Sequence, residues 1–135
     1  MELNNSRTKE NLMRAFAGES MARNRYTFAA AAAKKEGYPV LELLFHYTAG
    51  QEKEHAEIFY EYLRGCGCSS VEITAGYPVD EKKDTRALLN YAVHNEEEEH
   101  GLIYPDFAKI AHEEGFQEIA DRTIRNWDGE GMGLV

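Results

Sequence analysis

The run Gln51-Glu52-Lys53-Glu54-His55 is the stretch on which the reading of this chain turns. Residues three apart on an α-helix lie on one face, one above the other, so Glu52 and His55 can both reach one metal ion. The stripe that carries them is Leu41, Phe45, Thr48, Glu52, His55, Phe59 and Tyr62. Its steps alternate between four and three, the period of a buried helical seam. A carboxylate and an imidazole are thereby aimed at the core. A buried polar group without a partner costs roughly 2–7 kcal/mol, and a charge costs more. Taken alone, such a pair is more often a satisfied polar contact between helices. Three other stretches that carry acids in the same kind of place change that balance.

Before this helix lies another, capped by Ser6 or Thr8 and stopped by Gly37. Its inner face reads Leu12, Phe16, Glu19, Ala22, Tyr26, Ala30, Ala33, with Glu19 in the middle. By itself Glu19 is explained as a boundary residue bent out to water. Pro39 opens the second helix, where its missing N–H does no harm, and that helix ends near Arg64. Residues 65–84 form a crossover with a turn at Gly76-Tyr77-Pro78, and Val71-Glu72-Ile73-Thr74 is extended at most. Asp84 or Thr85 caps the third helix, whose seam is Leu88, Ala92, Glu96, Glu99, Ile103, Phe107, Ile110. Glu97 and Glu98 then face solvent. Pro105 inside this helix predicts a kink or a bulge. The fourth helix starts after Gly115 and carries Phe116, Ile119, Thr123, Trp127 and Glu130 on one face. Its end, with glycines at 129, 131 and 133, is expected to fray near Asp128. Helices this long in a chain of 135 residues form a bundle within one domain, 1–135, with an atypical tail at 128–135.

The two halves repeat. Ala33-Lys34-Lys35-Glu36-Gly37-Tyr38 matches Ala111-His112-Glu113-Glu114-Gly115-Phe116, an offset of 78. The same offset takes Tyr26 to Tyr104 and Glu52 to Glu130, and takes Glu19 to Glu97, one residue past Glu96. A bulge near Pro105 would absorb that slip. The result is a duplicated helix pair with an acid in the middle of every helix. Glutamates from two helices and Glu-x-x-His from the other two make a di-iron or di-manganese carboxylate site. Oxygen-rich ligation with few imidazoles suits iron or manganese rather than zinc. Such paired metals reduce dioxygen or peroxide.

The totals fit this picture. A formal charge of −9 argues against nucleic acid or an anionic membrane as partner. No apolar run is long enough to span a bilayer, and Met1-Glu2-Leu3-Asn4-Asn5 lacks the shape of a signal peptide, so a cytoplasmic protein is expected. Cys66 and Cys68 lack the paired spacing of a tetrathiolate site; they are expected to be free thiols in a surface loop, with a strained disulfide between them as the alternative.

The stretch from Asn11 to Phe28, the Glu52-Lys53-Glu54-His55-Ala56 motif, and Tyr104-Pro105-Asp106-Phe107-Ala108-Lys109 with Glu113-Glu114-Gly115-Phe116 together resemble the rubrerythrin family. The resemblance covers about residues 10 to 125. It implies an all-α, ferritin-like four-helix bundle, two helix pairs joined by a long crossover, assembled as a homodimer. It also implies a non-haem di-iron peroxidase that turns hydrogen peroxide to water in oxidative-stress defence. Glu19, Glu52, His55, Glu96, Glu99 and Glu130 would then be metal ligands, and Tyr26 and Tyr104 would hydrogen-bond ligand carboxylates. Two iron ions per chain are implied, with manganese as the other metal that fits. The family's four-cysteine rubredoxin module is missing from the sequence, so an external electron donor such as a rubredoxin-like protein is expected, as in the shorter erythrin-type members. The fourth-helix motif reads Glu130-x-x-Gly133, without its imidazole. The competing expectation is therefore a ferritin-like metal-binding protein with an incomplete second iron site and little turnover.

Overall fold

Glycine and proline divide the chain where the periodicity breaks. The computed structural model describes residues 1–125, and after a 3-10 turn at Leu3–Asn5 its elements are α1 (Arg7–Glu36), α2 (Pro39–Gly65), α3 (Thr85–Glu98), a π-helical turn (Glu99–Ile103), α4 (Tyr104–Glu113) and α5 (Gln117–Arg125). Trp127, Asp128, Glu130, Gly133 and the tail expected at 128–135 lie outside the described residues. No strand is present among the described residues, and none of their helices is long and apolar enough to cross a membrane. Ser6 caps α1 by accepting the Lys9 N–H at 3.0 Å, and Asp84 caps α3 by accepting the Ala87 N–H at 2.9 Å. Gly37 and Gly115 take the left-handed conformation, φ 84° and 89°, that turns the chain out of a helix. After each, the next N–H, of Tyr38 or Phe116, bonds back to Ala33 or Ala111 at 2.8 Å.

The π turn explains the slip in the repeat. Pro105 has no N–H to offer the helix, and the turn just before it takes in an extra residue. Ahead of it, Thr85 and Glu96 stand 77 residues after Thr8 and Glu19. Beyond it, Tyr104, Glu114 and Gly115 stand 78 after Tyr26, Glu36 and Gly37. The bulge expected near Pro105 is thus present and keeps both halves in phase.

The halves clamp each other reciprocally. Glu36, at the end of α1, accepts the Thr85 N–H at 2.6 Å and also the Thr85 hydroxyl, at the start of α3. Glu114, just past α4, accepts the Arg7 and Thr8 N–H groups at 3.0 and 2.8 Å and the Thr8 hydroxyl at 2.5 Å. The α3–α4 helix therefore runs antiparallel to α1, tied at both ends. Glu114→Ala strips these acceptors from the start of α1 and is expected to cost about 1 kcal/mol, read as a lower midpoint in urea denaturation.

Two apolar clusters flank the middle of the bundle. One joins Leu12, Ala15, Phe59, Leu63, Tyr104, Ala108 and Ile119; the other joins Ala22, Tyr26, Ala30, Ala33, Phe45, Ala49 and Ala92. The crossover runs back over α1, where the Tyr77 hydroxyl donates to the Arg14 carbonyl at 2.7 Å. The Tyr77 ring lies over Gly18 so closely that a Cβ there would meet it at 3.0 Å. Gly18→Leu is expected to push Tyr77 off and to speed proteolytic cleavage within residues 70–80, and an unchanged cleavage rate would show that this contact does not hold the crossover. The Val71–Thr74 run forms no ladder.

Candidate metal centre

Between the two apolar clusters lies a layer of acids. Glu19 is 1% exposed, Glu52 3%, His55 4% and Glu96 4%. Glu19 does not bend out to water: its neighbours Phe16 and Ala22 belong to the two clusters, and the carboxylate falls in the gap between them. Glu99, on the π turn, is half-buried, while Glu97 and Glu98 face solvent as the seam requires.

The carboxylates of Glu19 and Glu52 and the imidazole of His55 bring one ligand atom each to within 4.8 Å of one another. Nδ1 of His55 lies 3.5 Å from Oε2 of Glu19 and 3.6 Å from Oε2 of Glu52. Both carboxylate oxygens are buried and find no donor among the described residues apart from a proton shared between the two carboxyls themselves. Glu96 and Glu99 are outside this closest group but belong to the same electrostatic unit. Burial raises the carboxyls of Glu19 and Glu99 well above the usual range, and the Glu52 charge adds to the rise in both. Glu96 is raised to about 7 by burial and by Glu52, against the opposing pull of Tyr26, His55 and Arg25. Four acids crowded out of water, two with orphaned oxygens, form a donor set that fits cations. An oxygen-rich set with one close imidazole suits iron or manganese.

The other oxygens are held from the opposite half. Tyr104 donates to Oε1 of Glu19 at 2.6 Å, and Tyr26 donates to Oε1 of Glu96 at 2.8 Å. The tyrosine of each half thus orients the acid of the other, and burial with the facing carboxylates raises both phenols so that they stay protonated donors. The rings are wedged in turn by α2. Phe45 stacks on Tyr26 with centroids 6.3 Å apart and Phe59 on Tyr104 at 5.9 Å. Phe45 and Phe59 stand two turns either side of Glu52. Tyr104→Phe keeps the ring and removes the donor, leaving a buried oxygen unsatisfied. The expected loss is roughly 1–3 kcal/mol of stability in the metal-free protein, measured by thermal denaturation.

His100 was not among the candidate residues. Its Nε2 lies 3.6 Å from Oε2 of Glu96, one turn along the same helix and partly open to solvent. The four-residue spacing was the available signal, hidden in an acidic run that reads as a solvated face. Glu130, the remaining candidate ligand, lies outside the described residues.

The comparisons with known proteins agree with this geometry. The rubrerythrin family model matches residues 10–131. The chain is 46% identical over 119 residues to a rubrerythrin of Clostridium perfringens, covering 87% of this chain and 61% of that protein. It is 50% identical over 115 residues to a rubrerythrin of Porphyromonas gingivalis, covering 85% and 56%. A structure of nigerythrin in a mixed-valence state superposes with a TM-score of 0.71 at 26% identity, covering 93% of this chain and 62% of that one. The chain spans about three fifths of the length of these relatives. With the all-helical, ferritin-like fold and a match running through the helices that bear the acid layer, the chain belongs to the rubrerythrin family.

Proposed function

We propose that this chain is a non-haem di-iron protein that reduces hydrogen peroxide to water with electrons from a separate donor, working as a homodimer. The observation that carries the reading is the buried set Glu19, Glu52, His55 and Glu96, with two oxygens that no donor among the other described residues satisfies. Two iron ions, when bound, supply the two electrons that cleavage of a peroxide O–O bond requires. The chain's own part is charge, orientation and access. The carboxylates balance the cationic charge in a site that water reaches poorly. The Tyr26 and Tyr104 hydroxyls hold one oxygen of Glu96 and of Glu19; the second oxygen of Glu19 faces His55, and that of Glu96 lies 3.6 Å from His100. Glu52 and His55 supply the corresponding atoms from α2. A cavity of about 540 Å³ lies against Glu99 and Tyr104, walled by Arg25, Tyr77 and Phe107, and offers a route for a small substrate.

Metal analysis of protein produced with iron is the direct test. Two metals per chain, with peroxide-dependent oxidation of the ferrous form, is the expected result. Ferrous protein inert to peroxide would overturn the proposal. The second reading, a metal-binding protein with an incomplete second site, is favoured by Gly133 standing where the motif calls for a histidine. One metal per chain, raised by Gly133→His, would establish that reading instead. Sedimentation at working concentration tests the dimer.

A further inference from the structure

The Cys66-Gly67-Cys68 segment lies apart from the acid layer, eleven residues or roughly 16 Å along α2 from His55. It is where α2 ends. The N–H of Gly67 bonds to the Arg64 carbonyl at 3.1 Å and that of Cys68 to the Leu63 carbonyl at 3.2 Å, with Gly67 left-handed at φ 78°. This pair of bonds is a Schellman termination. Its last position wants an apolar contact, and Cys68 packs against the cluster that holds Leu63. A termination alone would be served by any small apolar residue at 68, and it makes no demand on residue 66. Yet both positions are cysteine, both half-buried, and the turn brings their Sγ atoms to 2.7 Å.

We infer that Cys66 and Cys68 form a second redox site, a reversible dithiol–disulfide couple that exchanges with small thiols and disulfides. The geometry supports it directly. A disulfide needs its sulphurs at about 2.05 Å, so closure from 2.7 Å asks for only a small sulphur shift. So short a ring removes little freedom from the unfolded chain and adds little to the stability of the fold, which is the character of a labile bond rather than a structural one. In the oxidation, the Cys66 thiolate attacks one sulphur of a small disulfide RSSR and RS⁻ leaves. The Cys68 thiol then loses its proton and attacks the Cys66 sulphur, expelling the second RS⁻. Two protein thiols and RSSR become one protein disulfide and two RSH, the protons passing to the departing thiolates. Burial and the adjacent Cys66 raise the Cys68 thiol, which fits it to the later, resolving step.

The test uses the full chain as purified, reduced and then treated with oxidised glutathione, which is not a peroxide and leaves the proposed peroxide chemistry out of the measurement. Intact mass after acid quenching is expected to show loss of two hydrogens with no retained glutathione, reversed by dithiothreitol. Cys68→Ser is expected to keep one glutathione on Cys66. A wild-type chain that retains glutathione, stays unmodified, or links to a second chain through an intermolecular disulfide would overturn the inference.

Discussion

Raising the pH of the metal-free protein from about 4.5 to about 7 is expected to weaken its fold by roughly 3 kcal/mol through Glu96 alone. The sign follows from proton counting. Burial lifts the folded-state Glu96 to about 7, while in the unfolded chain it titrates near the ordinary 4.5. Between those values the folded protein holds a proton that the unfolded chain has lost. Stability is therefore fully present below the unfolded value and falls as pH rises through the folded one. Glu19 and Glu99 are raised too and push in the same direction. Urea midpoints at pH 5 and pH 7.5 measure the effect. Protein loaded with iron or manganese is expected to escape the decline, because cations take the place of the protons. A midpoint that rises with pH in the metal-free protein would mean that the acids are not confined as described.

Glu52→Gln is expected to move the two forms of the protein in opposite directions. The Glu52 charge raises Glu19, Glu96 and Glu99 alike, so it is the member that every other acid opposes. A neutral amide of the same shape removes the repulsion between Glu52 and its three acidic neighbours, and the metal-free variant is expected to be more stable than wild type. The same change removes a ligand of the proposed centre. A metal at about a thousand times its dissociation constant stabilises a fold by roughly 4 kcal/mol, and the variant is expected to lose most of that increment. Denaturation midpoints with and without metal give both numbers from one protein. Glu97→Gln, on the exposed side of the same run, is the control and is expected to change neither. A metal-free Glu52→Gln protein weaker than wild type would contradict the crowding described here.

Much of this was legible in the chain because it is local. Apolar residues at three- and four-residue steps define one face of a helix, and Glu19, Glu52, His55, Glu96 and Glu99 sit on those faces whatever the helices pack against. Glycine with φ above zero ends a helix, and proline disturbs the turn before it, so Gly37, Gly115 and the bulge ahead of Pro105 could be placed from residue chemistry. The duplication and its one-residue slip were visible in the same way.

What the tertiary structure alone decided is which face meets which. Periodicity left Glu19 free to turn outward, and burial against α4 with a bond from Tyr104 settled its direction. The crossed pairs, Tyr26 with Glu96 and Tyr104 with Glu19, join residues 70 and 85 apart. So do the end clamps of Glu36 on Thr85 and Glu114 on Thr8, at separations of 49 and 106. No local preference encodes such pairings, since each depends on how two helices dock and on the register the π turn sets between them. The sequence by itself thus determined the helices and the faces on which their acids lie; the packing of the helices determined that Glu19, Glu52 and His55 converge and that each half's tyrosine holds the other half's acid, because side chains so far apart in the chain meet only once the bundle has closed.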